Sequence, residues 1–331
     1  MKTKFGVSYY GNRFLNHAEH DLKEIAECCD YVVHTVNEAD LTYHKLALQK
    51  ICNASRKLNL EVWVDPWGLG GVFGGEAFSR FLLDHRDSWQ KMSDGKIVPL
   101  ACLNRFEWRS YMKEWVLSVR DMGGQVIFWD EPHVAVDFES EMKGVFSCTC
   151  DCCKDLYRKK MGEKMPLKLT DETRQFRRDT LREFLNEMME FSHAKGLQNA
   201  LCLYAFKGIP EYDRIWKEAA ALPELDIFGC DPYWRWHGDK NPFTHVSEFS
   251  KYVVEHANKN NKGSQVWVQA MRLPAQKENE LAIAVDAAVQ AGISHVAAWS
   301  FDGGELLDPI LSENPKEVWK VLKQVYLKYK V

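Results

Sequence analysis

The chain alternates eight times between a short run rich in β-branched and aromatic residues and a longer amphipathic run. The short runs predict strands and the longer runs predict helices. Strands are predicted at 4–11, 31–36, 60–67, 125–132, 200–206, 225–234, 264–271 and 294–301. Helices are predicted at 20–29, 41–58, 107–122, 170–196, 210–221, 246–259, 276–290 and 316–328. Long loops are expected after the third strand, at 68–106, and after the fourth, at 133–169.

This regular alternation predicts an α/β protein with a parallel sheet. Eight such units, without a remainder, predict a closed (β/α)8 barrel, or TIM barrel, that forms a single domain over residues 1–331. The alternative is a doubly wound open sheet. It is disfavoured because no glycine-rich phosphate-binding turn follows the first strand.

Charge and hydropathy narrow the function classes. The net charge of −4 offers no basic footprint for nucleic acid or for an anionic membrane. No apolar run approaches the roughly 20 residues that span a bilayer, and the first residues, MKTKFGVSYYG, lack the apolar core of a signal peptide. We therefore expect a cytoplasmic protein. In that compartment ten cysteines indicate thiols or a metal site more than disulfides.

Catalytic side chains of such barrels lie where the strands end at their C-termini. Acidic and aromatic side chains dominate these positions. Acids protonate or attack an acetal carbon and aromatic rings stack on sugars, so the set predicts glycoside cleavage. The candidate catalytic residues are Asp130, Glu131 and Asp231, and the candidate substrate-binding residues are Tyr10, His34, Asp65, Trp67, His133, Tyr204, Tyr233, Gln269, Arg272, Trp299 and Asp302.

The most informative motif is Trp129-Asp130-Glu131-Pro132, which ends the fourth strand. Strand alternation sends Asp130 and Glu131 to opposite sides, so only one is expected to face the pocket. The alternative is that the pair caps the strand or forms a salt bridge. A Glu before Pro at this position resembles the Asn-Glu-Pro acid/base site of the large retaining barrel clan of glycoside hydrolases, with Asp130 in place of Asn. The resemblance implies that Glu131 is the general acid, a role that requires a raised pKa.

A second motif is a cluster of cysteines in the loop after the fourth strand, Cys148, Cys150 and Cys153, with Cys102 in the preceding loop. Thiolates at such spacing can enclose one tetrahedral Zn²⁺. The alternative is four unconnected thiols. The set resembles that of the family 42 β-galactosidases, and the resemblance implies a structural zinc on these four residues, with Cys152 left over. It also makes a homo-oligomer plausible.

The resemblance fails at the seventh strand, where the clan places a nucleophilic Glu. This chain has Gln269, whose amide can only form hydrogen bonds. The second carboxylate is then Asp231 or Asp65, and a pair from strands four and six would be similar to that of α-galactosidase-type barrels. Alternatively the reaction inverts, with water as the nucleophile. Asp231 also has a structural interpretation, as a turn residue before Pro232.

We therefore predict a glycoside hydrolase that acts on a small glycoside or oligosaccharide, with Glu131 as general acid/base and no organic cofactor. One alternative is a sugar-binding barrel that has lost catalysis, which Gln269 motivates. Another is an isomerase or lyase, for which His34 and His133 are candidate ligands of a catalytic metal. Arg272 either clamps a substrate carboxylate or pairs with a loop acid, and each aromatic residue at the rim is either a sugar platform or packing.

Overall fold

The computed structural model describes residues 2–135, 143–236 and 238–330. Eight parallel strands close into a barrel in the order β1-β10-β9-β8-β7-β6-β3-β2, which confirms the predicted fold class. The barrel strands are β1 (Lys4–Tyr9), β2 (Tyr31–Thr35), β3 (Glu61–Asp65), β6 (Val126–Asp130), β7 (Gln198–Leu203), β8 (Ile227–Cys230), β9 (Gly263–Gln269) and β10 (His295–Trp299).

Helices surround the barrel. They are α1 (Leu15–Ala26), α2 (Glu38–Tyr43), α3 (Lys45–Lys57), α4 (Arg80–Asp84), α5 (Phe106–Met122), α6 (Asp151–Met161), α7 (Asp171–His193), α8 (Pro210–Ala220), α9 (Pro242–Lys259), α10 (Asn279–Gln290) and α11 (Pro315–Lys330). Within the described residues, none of these helices combines the length and apolar character that a membrane crossing requires.

The two long loops contain structure that the sequence patterns did not predict. The first holds α4 and an antiparallel hairpin of β4 (Trp89–Lys91) and β5 (Ile97–Ala101), and the second holds α6. The single helix predicted over 41–58 is two helices, α2 and α3, because the backbone leaves the helical conformation at His44. The helix predicted from 246 begins at Pro242, where the Asn241 side chain caps it by accepting from the Thr244 N–H at 2.9 Å.

Along each strand, alternate side chains point into the barrel interior, and the others point outward to the helices. One buried cluster, including Tyr31, Val33, Trp63, Phe128 and Trp267, fills the barrel, while a larger one packs the outer strand faces against the helices. Tyr31 stacks on Trp63 with ring centroids 4.5 Å apart. Because side chains alternate along a strand, every second residue after these positions also points into the barrel, closer to its mouth.

Candidate active site

Three aspartates at the mouth occupy strand positions whose side chains point into the barrel. Asp65 ends β3 two residues after Trp63, Asp130 ends β6 two residues after Phe128, and Asp231 follows β8 directly. Asp65 and Asp231 are buried, and Asp130 is partly exposed. The mouth therefore gathers carboxyl groups from three separate strands in a largely apolar barrel.

Glu131 joins this group although strand alternation would direct it away. Its φ of 41° lies in the left-handed region, and its N–H donates to the Cys202 carbonyl at 3.0 Å. Asp130 and Glu131 both approach Gly74: a Cβ at Gly74 would overlap Asp130 Oδ2 and lie 3.1 Å from Glu131 Oε2. The expectation that only one of the two faces the pocket is therefore wrong, because the left-handed conformation of Glu131 ends the alternation.

Glu131 and Asp231 form a hydrogen-bonded carboxyl pair, and the Tyr204 side chain lies beside Glu131. Burial raises the pKa of Asp231 to about 8, and burial together with the neighbouring Asp231 raises the pKa of Glu131 well above its ordinary range. Two carboxyls in contact in a desolvated site cannot both ionise readily. The pair therefore retains a proton at neutral pH.

Asp65 lies deepest in the cluster. Neither of its carboxyl oxygens has a hydrogen-bond partner among the described residues. Burial raises its pKa well above the ordinary range, and the charges of Asp130 and Glu76 raise it further. A buried polar group without a partner is costly, so this position is maintained at the expense of stability.

Glu76 is a member of the cluster that the sequence analysis did not single out. It lies in the glycine-rich segment after β3, and its charge raises the pKa of Asp65, Asp130 and Glu131. The Gly74 N–H donates to the Asp130 carbonyl at 3.0 Å, which holds this segment on β6. The available signal was that Glu76 is the only acid in the run 68–76.

Aromatic rings line one side of the mouth. Tyr10 stacks on Trp67 at 5.9 Å and contacts Trp299 at 5.5 Å. The Tyr10 hydroxyl lies 2.7 Å from Ser300 Oγ, and burial raises its pKa to about 12. Tyr233 follows Asp231 and donates its N–H to the Asp231 carbonyl at 2.7 Å. These predicted sugar-binding residues do lie beside the carboxyl cluster.

His133 contacts the backbone of Glu131. Its Nδ1 lies 2.8 Å from the Glu131 carbonyl oxygen, and its ring lies 6.0 Å from that of Tyr204. Burial lowers the pKa of His133, so the ring is neutral at neutral pH. This contact positions the backbone of Glu131, and no other imidazole among the described residues joins it in a metal-binding group.

His34 lies away from the mouth. Its side chain points outward from β2: its Nε2 lies 3.0 Å from Ser55 Oγ on α3, and burial lowers its pKa to about 3. Asp302 forms an ion pair with Lys316, and its charge contributes to the raised pKa of Tyr10 at the mouth. His34 therefore packs β2 against α3, whereas Asp302 lies close enough to the mouth to act on Tyr10.

Gln269 and Arg272 have partners in several loops around the mouth. Gln269 Oε1 accepts from the Arg235 N–H, in the loop after β8, at 3.0 Å, and its Nε2 donates to the Met271 carbonyl at 3.2 Å. Arg272 Nε donates to the Pro309 carbonyl at 2.6 Å, and its guanidinium lies 4.4 Å from the centre of the Trp236 ring. Gln269 thus links the loops after β8 and β9, where the resembled clan carries a nucleophile.

The four predicted cysteine ligands meet in one buried cluster. Their sulfur atoms lie within 4.8 Å of one another, with Cys102–Cys153 at 3.4 Å and Cys102–Cys150 at 3.6 Å. Asn104 Nδ2 donates to Cys153 Sγ at 3.3 Å. Cys152 instead donates to the Asn104 carbonyl. Four thiols at this separation can bind a metal ion with tetrahedral coordination and no open position.

No family model matches the sequence, and no curated protein matches it. Among solved structures, a β-galactosidase from the haloarchaeon Halorubrum lacusprofundi is similar, with a TM-score of 0.74 and 12% identity over 99% of this chain and 58% of that one. The catalytic domain of a β-amylase from Paenibacillus polymyxa has a TM-score of 0.68 and 12% identity, over 100% of this chain and 99% of that one. A D-allulose 3-epimerase from Methylomonas sp. has a TM-score of 0.53 and 9% identity, over 98% of each chain.

These similarities establish the fold, and the neighbours include glycoside hydrolases. The chain spans less than two thirds of the length of the β-galactosidase that it resembles. At such low identity, the residues of the site carry the functional argument.

Asp65→Asn is expected to stabilise the fold in a pH-dependent manner. In the unfolded chain Asp65 ionises above about pH 4, whereas in the fold its raised pKa keeps it protonated. The carboxyl therefore destabilises the fold increasingly as the pH rises above about 4. Thermal or urea unfolding should show a gain of roughly 1–3 kcal/mol at pH 8 and a smaller gain at pH 4. The exposed control, Asp94→Asn, should change little; an equal effect of Asp65→Asn at both pH values would contradict this interpretation.

Proposed function

We propose that this barrel cleaves the glycosidic bond of a small carbohydrate substrate, with Glu131 as the general acid. The observation that carries the proposal is the hydrogen-bonded Glu131–Asp231 pair, which retains a proton at neutral pH beside a wall of aromatic rings. A carboxylic acid that stays protonated at neutral pH can protonate the oxygen of a leaving group. The Tyr204 side chain lies beside the Glu131 carboxyl.

The direct contact between Glu131 and Asp231 restricts the role of Asp231. An inverting pair needs a gap of about 6.5–9.5 Å to admit water, and two carboxyls in contact leave no such gap. We therefore assign Asp231 to the tuning of Glu131. Asp130 is the proposed second carboxylate because Asp65 is fully buried, while Asp130 is partly exposed to the mouth and can reach a sugar.

The second candidate function is proton transfer on a free sugar, as in an epimerase or isomerase. The contact between the two carboxyls favours it, because a pair with one shared proton can both remove and return a proton. The fold similarity to a D-allulose 3-epimerase is compatible with it. The third alternative, a sugar-binding barrel without catalysis, rests on Gln269, whose amide bonds to the Arg235 N–H and the Met271 carbonyl.

We further propose that the four-cysteine cluster holds a structural Zn²⁺, as the resemblance to family 42 β-galactosidases implies. The donor set fits this ion: four buried sulfur atoms lie at mutual distances compatible with one tetrahedral centre. Bound there, the ion would supply cross-linking between the loops that follow β3 and β6. The cytoplasmic location and the homo-oligomer stay predictions.

Replacement of Glu131 by Gln should abolish hydrolysis while leaving the fold intact. The amide preserves the shape of the side chain but cannot donate the proton, so kcat/KM on a panel of aryl and alkyl glycosides should fall by about 10²–10⁴-fold. Glu317→Gln, on the exposed start of α11, is the matched control and should keep full activity. Undiminished turnover by the Glu131 variant would overturn the assignment, and conversion of free ketoses by a parent chain that cleaves no glycoside would favour the epimerase.

Activity should fall on the alkaline side, well above the ordinary pKa of a carboxyl group, when the Glu131–Asp231 pair loses its last proton. In Asp231→Asn the neighbouring negative charge is absent, so the Glu131 carboxylate becomes easier to form and its pKa falls. The alkaline limb of the kcat/KM profile should then move to lower pH by about one unit or more. A reduced rate with an unmoved limb would assign Asp231 a purely structural role.

Metal analysis of protein purified without chelators should give about one zinc per chain. Cys150→Ser should lose the metal and lower the midpoint of thermal unfolding, because one thiolate ligand is missing. Cys152→Ser is the matched control, since this neighbouring thiol lies outside the cluster, and it should keep both. Zinc-free parent protein, or equal behaviour of the two variants, would contradict the site.

A further inference from the structure

A cavity of about 640 Å³ lies beside the carboxyl cluster. Its walls come from the β4–β5 hairpin, α7 and α8, and from two residues next to the proposed general acid, Tyr204 and His133. Tyr204 lies beside the Glu131 carboxyl, and His133 Nδ1 lies 2.8 Å from the Glu131 carbonyl oxygen. The cavity therefore begins at residues that neighbour the proposed proton donor.

Much of the cavity wall is apolar. Aliphatic and aromatic side chains from opposite walls are only partly buried and turn their remaining surface towards the cavity: Val98, Leu100, Leu181, Phe206 and Ile215. Apolar surface that is exposed in a concave site favours an apolar ligand over water. A second sugar would be a poor fit to this part of the wall, because its hydroxyl groups would lose hydrogen bonds to water without gaining partners.

The arginines at the edge of the cavity do not require an anionic ligand. Arg178 donates to the two carboxylate oxygens of Glu211 at 2.7 and 2.6 Å and lies 3.6 Å from Glu218. Arg174 and Arg177 also have interaction partners. The charge of Arg178 is therefore paired within the protein.

We propose that this cavity binds the apolar aglycone of the substrate, so that the preferred substrates are glycosides of bulky apolar alcohols rather than chains of sugars. The inference rests on the proposed glycosidase function and names its substrate class. The sugar ring would occupy the mouth beside Trp67 and Tyr10, and the alkyl or aryl group would extend past Tyr204 into the cavity.

The test compares hexyl and ethyl glycosides of one sugar, whose leaving groups have similar acidity. Each buried methylene contributes about fourfold in affinity, so kcat/KM should be at least tenfold higher for the hexyl glycoside. Leu181→Trp fills the cavity from α7 and should bring this ratio close to one. Val98→Trp, from the opposite wall, should act in the same way, and the exposed control Leu167→Trp should leave the ratio unchanged.

Binding of free 2-naphthol, followed by its fluorescence, separates this inference from the proposed function. Tight binding by the parent that weakens at least tenfold in Leu181→Trp would support the apolar site even if no glycoside were cleaved. Equal rates for the hexyl and ethyl glycosides, or naphthol binding that neither tryptophan variant alters, would overturn the inference while leaving glycosidase activity intact.

Discussion

Mutual repulsion among buried carboxyl groups is the constraint on which the site depends. Asp65, Asp130 and Asp231 point inward from separate strands, and Glu131 and Glu76 join them from the loops. In a medium of low polarity these groups cannot all carry a charge, so protons remain bound at pH values where isolated carboxyls have lost them. Crowding and burial thus keep a carboxylic acid protonated at neutral pH.

Apolar packing in the rest of the barrel offsets the free-energy cost of this crowding. Rings at the closed end, such as Tyr31 and Trp63, are buried and stacked, and a larger apolar cluster packs the outer strand faces against the helices. The free energy from this burial offsets the cost of groups such as Asp65, whose oxygens have no partner among the described residues. The unpartnered Asp65 therefore lowers a stability that the apolar packing supplies.

The sequence predicted the barrel because its alternation of strand and helix patterns is regular, and it predicted the inward aspartates because they end apolar strands. The sequence did not indicate that Glu131 faces the pocket together with Asp130. Its backbone is left-handed, and no sequence pattern marks a non-glycine residue in that conformation. His34 was predicted to face the pocket but points outward. Because β2 has apolar residues on both faces, its sequence does not show which face points into the barrel. The Arg235 N–H that bonds to Gln269 comes from a loop distant in sequence, which no local pattern reveals. Cys148, Cys150 and Cys153 were found because their spacing is local, whereas Cys102, 46 residues before Cys148, was included through the resemblance to the family 42 β-galactosidases.

The cysteine cluster has a consequence for how this protein can be altered. Cys102 follows the β4–β5 hairpin, whereas Cys148, Cys150 and Cys153 belong to the next long loop, and their sulfur atoms meet in one place. The two loops are thereby a single exchangeable unit. An attempt to graft either one alone onto another barrel, to transfer its share of the mouth, would leave an incomplete set of thiols behind in both proteins. Recombination between related barrels should accordingly tolerate crossover points before β3 or after α6, and not between them.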